Sequence, residues 1–252
     1  MRKSLSIVLA FAYGFFWLGG VGAYWIFGGP PDHVSWTAPF FLGLAGVLVL
    51  AGSAARDWPR MAACAGVGFV AEILGVHTNF PFGAYAYTQV LRPHLFSVPL
   101  VMIAAWLVLL AYIMEMLREY RLTPAVRVVV ASIWMTSIDF IIDPLAAGPL
   151  EYWTWVHPGW YYGIPATNFL GWLIVSAVAF TVAGPAWQPN PGARWTGLSV
   201  IGFFVCIAVA KGLLLAALVG VALCAIHAAV RVRQANRDRG ALVSAVTGPD
   251  QA

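Results

Sequence analysis

Val126–Leu145 reads VRVVVASIWMTSIDFIIDPL, twenty residues that are apolar except near the two ends. A bilayer-crossing helix needs roughly 20 such residues, so the stretch reads as a transmembrane helix. Asp139 and Asp143 sit at one end of it, four residues apart. That spacing is about one helical turn, so both carboxyls project from one face. Ionisable groups inside a span are costly and mark functional sites. What those two carboxyls face decides how the rest of the chain is read.

The whole chain has the same character. Of its 252 residues, 61% are hydrophobic and only 10% are charged. A soluble domain is roughly half apolar and about a quarter charged. The composition therefore specifies an all-α, polytopic membrane helix bundle, with one transmembrane domain over residues 1–230. Residues 231–252 read as a polar tail, disordered beyond its first turn. The net charge of +4 does not point to nucleic acid, because the arginines sit in short segments between apolar runs, where they orient a membrane protein. Cys64, Cys206 and Cys224 lie in apolar stretches without a CxxC pair, and read as buried free thiols. Arg2-Lys3 followed by Leu5–Phe27 mimics a signal peptide, but the apolar run is too long for one and reads as a retained first span.

The other apolar stretches are Trp36–Ala55, Met61–Val76, Val98–Leu117, Thr167–Trp187 and the 36-residue run Trp195–Val230. The last is either one very long helix or two short ones broken at Lys211-Gly212. Cytoplasmic loops carry an excess of Arg and Lys. With eight spans and the N-terminus inside, only Arg92 and Lys211 of the 14 basic residues fall outside. Seven spans would move the tail arginines outside. Eight spans, with both termini cytoplasmic in the cell membrane, is the expected topology.

That topology gathers the chemistry at one face. Glu72 lies near the outer end of the third span, Asp139 and Asp143 near that of the fifth, and Asn168 at the start of the sixth. The two long outer loops carry His77, Asn79, Arg92, His94, Glu151 and His157, together with a cluster of aromatic residues. Phe80, Phe82, Tyr85, Tyr87 and Phe96 lie in the first loop. Tyr152, Trp153, Trp155, Trp160, Tyr161 and Tyr162 lie in the second. Pro81, Gly83, Pro93 and Pro99 exclude a regular helix from the first loop. An interfacial aromatic belt would account for some of these rings. Their concentration in the two loops beside the acids favours a lined cavity. Irregular backbone at membrane depth must be buried or line such a cavity.

These residues carry a resemblance. Glu72-x-x-Gly75, then Pro81-Phe82-Gly83-x-Tyr85-x-Tyr87, then Val98-Pro99-Leu100 with Trp106, form a first block. Asp139-x-x-x-Asp143-Pro144, Trp153-x-Trp155, Gly159-x-Tyr161-Tyr162-Gly163-Ile164-Pro165, Asn168 and Gly171-Trp172 form a second. The ordered set resembles the membrane carotenoid 1′,2′-hydratases, of the bisanhydrobacterioruberin and the lycopene or γ-carotene type. It covers Glu72 to Trp172, and the flanking spans match in hydropathy only. One departure is Asn79 in His77-Thr78-Asn79, where the family carries a small residue, often glycine. The resemblance implies water addition across the terminal double bond of an acyclic carotenoid dissolved in the membrane, giving a tertiary alcohol without cofactor or metal.

Such a reaction needs a strong proton donor, and a carboxylic acid kept neutral in an apolar site can be one, especially beside a second carboxyl. Asp139 or Asp143 is the expected general acid, and Glu72 the base that orients water. Asn168 would position the water. Aromatic faces stabilise a carbocation without trapping it, each by about 0.5–2 kcal/mol; Phe82, Tyr85, Tyr87, Trp153, Trp155, Tyr161, Tyr162 and Trp172 are the candidates. Arg92 would hold an acid of the cluster, and His77 is a further substrate-side candidate. Competing roles for the acids are a helix cap, above all for Asp143 before Pro144, or an interhelical hydrogen bond. Two other functions fit the same residues: a cyclase-like end-group enzyme, or a proton-coupled carrier, although carriers often show internal repeats and none is seen.

Overall fold

Every apolar stretch forms a helix. The computed structural model describes residues 2–185 and 187–247. Within them run α1 (Arg2–Ile26), α2 (Thr37–Gly52), α3 (Trp58–Thr78), α4 (Met102–Leu117), α5 (Pro124–Ala146), α6 (Ala166–Ala183), α7 (Pro191–Ala210) and α8 (Leu214–Thr247). Six of these are long and apolar enough to cross a membrane. The run Trp195–Val230 is two helices, not one. The break falls where Gly212 takes a positive φ of 69°, a conformation open to glycine at little cost. α8 continues past Val230 as far as Thr247, through residues that the sequence reads as tail. Residues 248–252 lie outside the described residues.

α2 and α4 are each 16 residues long. At 1.5 Å per residue they reach only about 24 Å, short of the roughly 30 Å hydrocarbon core. For α4 the reason is its place: 13 of its 16 residues are buried, and it packs against α2, α3, α5 and α7. A helix apolar all round belongs in the interior. Within a bilayer, burying apolar surface drives little helix association, so close packing on small residues takes over. Gly68 of α3 lies under the Trp106 ring, where a Cβ would come within 2.1 Å of Cδ2. Gly197 of α7 accepts Tyr112 in the same way, at 2.4 Å.

Helix ends follow their sequence signals. Pro59, Pro124 and Pro191 stand in the first turns of α3, α5 and α7, where no backbone N–H is needed. α3 ends at Asn79 with φ +62°. This is the left-handed position that suits glycine and, next best, asparagine, so the departure from the family pattern is conformationally equivalent. At the opposite face, Glu115 pairs with Arg118 at 3.0 Å. Asp57 accepts the Gln188 backbone N–H at 2.8 Å.

α5 does not stop at Asp143. It runs through Pro144 to Ala146, so Asp143 is not its cap. Pro144 has no N–H to give the carbonyl four residues back, that of Phe140. Tyr161 fills the gap: its hydroxyl donates to the Phe140 carbonyl at 2.8 Å. The brace from the second loop makes the extra turn tolerable and keeps Asp143 on a helical backbone.

The two long loops are more regular than sequence reasoning expects. β1 (Tyr85–Tyr87) pairs antiparallel with β4 (Trp153–Trp155), with Tyr85 opposite Trp155 and Tyr87 opposite Trp153. β2 (His94–Leu95) pairs with β3 (Val98–Pro99). The first ribbon ties the two loops together over the ends of α3, α5 and α6.

Candidate active site

Successive side chains of a strand point to opposite faces. The alternations Tyr85-x-Tyr87 and Trp153-x-Trp155 therefore place four aromatic rings on one face of the β1–β4 ribbon. Cross-strand ring centroids are 5.1 Å apart for Tyr85 and Trp155, and 5.7 Å for Tyr87 and Trp153. The polar tips of three of these rings end on the acids.

Glu72 of α3 receives donors on both oxygens. The Tyr85 and Tyr87 hydroxyls donate to Oε2 at 2.6 and 2.9 Å, and Trp106 Nε1 donates to Oε1 at 3.3 Å. Burial, and then the adjacent Glu72 carboxyl, hold both tyrosines well above the ordinary phenol range. They therefore remain donors at any physiological pH. Gly75, one turn on from Glu72, makes the arrangement possible, since a Cβ there would stand 2.9 Å from both the Tyr85 hydroxyl and Phe82 Cδ2.

The other two acids meet on Asn168. Its Nδ2 donates to Asp139 Oδ2 at 2.8 Å and to Asp143 Oδ2 at 2.5 Å. Trp153 Nε1 donates to Asp143 Oδ1 at 2.7 Å. Asp139 Oδ1 is buried without a hydrogen-bond partner. The three acids and Asn168 are between 1% and 4% exposed, so solvent does not satisfy them. Among the described residues no cation forms an ion pair with any of the three, and none of their groupings forms a metal-ligand set.

Between the acids lies a small cavity of about 20 Å³, bounded by Glu72, Phe82, Tyr85, Tyr87, Met102, Asp143, Trp153, Trp155, Asn168 and Trp172. A cavity of that size holds about one water molecule. Trp172 closes it from α6, stacked on Trp106 with centroids 4.6 Å apart. Nine of the residues singled out from the sequence thus face one space. Asp139 adjoins it through Asn168 and does not line it.

Four candidates fall elsewhere. Tyr161 braces α5, as described. The Tyr162 hydroxyl accepts the Leu215 backbone N–H at 3.1 Å, at the start of α8. Arg92 is exposed, and its Nε donates to Gln89 Oε1 at 2.7 Å, not to an acid. His77 is exposed at the last turn of α3. Trp106, quoted in the first block without a role, donates to Glu72. Met102 on the cavity wall went unmarked, since nothing in an apolar helix shows which methionine will face the acids.

The brace is testable. Tyr161→Phe removes one hydroxyl and orphans the Phe140 carbonyl, an expected loss of about 1–3 kcal/mol. Thermal unfolding of the purified protein in detergent should show it. Burial, helped by Tyr162, pushes the Tyr161 phenol up to about 12, so the brace should persist from acid to mildly alkaline pH.

Residues 40–231 match the family of carotenoid biosynthesis proteins, and the chain belongs to that family. A curated relative is the bisanhydrobacterioruberin hydratase of Haloarcula japonica, 28% identical over 167 residues. The match covers 59% of this chain and 54% of the relative, so the chain spans about half of that protein's length. No solved structure matches.

Proposed function

We propose that the protein is a carotenoid hydratase, adding water across the terminal double bond of an acyclic end group to give a tertiary alcohol. The observation that carries this reading is two buried carboxyls, Glu72 and Asp143, lining an aromatic cavity with room for one water. The family and the hydratase relative support the same substrate class.

The roles follow from the hydrogen bonds. Glu72 accepts three donors, the pattern that suits a carboxylate. Asp143 shares the Asn168 amide with Asp139, and two carboxyls so placed keep one proton between them more readily than none. Asp143, which faces the cavity, is the general acid. Its proton goes to the less substituted alkene carbon, and the tertiary cation forms at the other. Water in the cavity adds to that cation and loses a proton to Glu72. One proton enters from Asp143 and one leaves to Glu72, so the sum is addition of one water. Exchange through solvent or the cluster restores both groups. Asp139 is a positioning residue that acts through Asn168. The rings of Trp153, Trp155 and Trp172 face the cation as π surfaces.

Expression of the chain in a lycopene-producing bacterium tests the reading. Carotenoids heavier by one or two waters are expected. A product of unchanged mass and altered absorption would identify a cyclase instead, and unaltered lycopene together with other unaltered acyclic carotenoids would reject the proposal.

A further inference from the structure

At about 20 Å³ the acid cavity has no room for the length of a polyene, so the substrate's bulk must lie elsewhere and only its reacting end can enter, as the wall side chains move. A much larger cavity, about 770 Å³, opens at the same face between α1 and α2. α1 lends it Phe16, Gly19 and Ala23, α2 Phe41, α7 Phe203, and the second loop Tyr152. Its volume falls within the range of small-molecule sites, roughly 300–1,000 Å³. Its walls are largely apolar and aromatic, with Ser35, Thr37 and Glu151 as polar exceptions, and α1 is the least buried of the six long apolar helices. A ligand dissolved in the bilayer therefore reaches it sideways.

The groove backs onto two further cavities. Tyr152 also lines a second, apolar cavity of about 50 Å³. That cavity in turn shares Met102 and Trp153 with the acid cavity. The Tyr152 and Trp153 rings stand 6.3 Å apart. Three cavities thus lie in series, from the lipid-facing groove to Asp143 and Glu72, and each neighbouring pair shares a wall. Met102, unbranched and flexible, is the side chain at the last partition that moves most easily.

Two glycines of α1 fit this layout and no packing explains them. Gly20 is needed, because a Cβ there would meet Phe203 at 2.8 Å. Gly19 and Gly22 line the groove, and a Cβ at either would meet nothing within 4 Å. Glycine is a poor helix former, so an interior glycine with empty space beside it keeps that space open.

We propose that this groove holds the polyene chain of the substrate, while its reacting end passes Tyr152, Met102 and Trp153 to reach Asp143. The proposal rests on the hydratase reading and adds a binding subsite to it. Flat aromatic walls suit a conjugated chain, and a single layer of side chains between each pair of cavities selects a ligand whose end is the reacting group.

The test uses the full chain, produced in lycopene-making cells and purified in detergent. Asp143→Asn serves as background, so that bound pigment stays unreacted. Gly19→Phe fills the groove. Gly14→Phe is the control, since Gly14 lies about 140° around α1 and also faces open space without lining the groove. Visible absorbance per mole of protein reports retained lycopene. Gly19→Phe should lower it roughly tenfold relative to Gly14→Phe, at equal thermal stability. Equal pigment in the two variants, whether high or low, overturns the groove. Extracts of the same cells making the wild-type chain report hydrated product separately, so failure of the hydratase reading is seen on its own.

Discussion

Asp143→Asn should cut hydrated carotenoid by roughly a hundred- to ten-thousandfold, the usual contribution of a positioned general acid. Asparagine keeps the shape of the side chain and the acceptor for Trp153 Nε1, and it removes only the transferable proton. It does bring its own amide N–H group toward the Asn168 Nδ2, which now donates to Asp143 Oδ2 at 2.5 Å. Part of the loss would then be structural. Melting temperature measured beside hydrated product separates the two causes. If Asp143→Asn melts close to the wild type and makes no hydrated product, the missing part is the proton. If Asp143→Asn keeps full activity, Asp143 is a strut and not the acid. Asp139→Asn should lose less activity than Asp143→Asn, because Asp139 meets the cavity only through Asn168. If the order of the two losses is reversed, Asp139 is the acid.

That distinction shows where sequence reasoning runs out. Positions four apart share a helix face, so Asp139 and Asp143 are equivalent until a third element arrives. The arrival of Trp153 beside one of them and the path of the cavity break the tie. The helices themselves were legible, because length and apolarity are local properties and a membrane demands both. The break at Lys211-Gly212 was legible for the same reason. The ribbon that roofs the site was legible only in part. Tyr-x-Tyr and Trp-x-Trp have the period of a strand, yet three residues are too few to outweigh the prolines around the first of them. The apolar length carried α5 past Pro144, but what supports that turn was not legible, since the orphaned carbonyl of Phe140 is satisfied by Tyr161, 21 residues away. The same brace places the Tyr161 hydroxyl on α5 and outside the acid cavity, and no local signal distinguishes its ring from that of Trp153.

Glu72→Gln should lower activity by roughly a hundred- to thousandfold and leave the fold nearly intact. The geometry of the three donors explains why both outcomes are expected. Trp106 Nε1 can only donate, so the glutamine carbonyl oxygen must take the place of Oε1 facing it. The amide nitrogen then falls where Oε2 meets Tyr85 and Tyr87. Each hydroxyl can turn and accept, and Tyr85 can donate instead to the backbone carbonyl of residue 72, 3.3 Å away, which leaves only the Tyr87 proton to be placed, so the stability loss should be about 1–2 kcal/mol. What cannot be restored is the negative charge. It is the charge that would face a carbocation and take the proton from water. Glu72→Asp retains it but withdraws the carboxyl by one methylene, and should keep some activity while losing hydrogen bonds and stability. A structural role predicts the opposite ranking, with the stable glutamine variant active and the poorly fitted aspartate variant inactive. Measuring hydrated product and melting temperature side by side for the two variants decides between them.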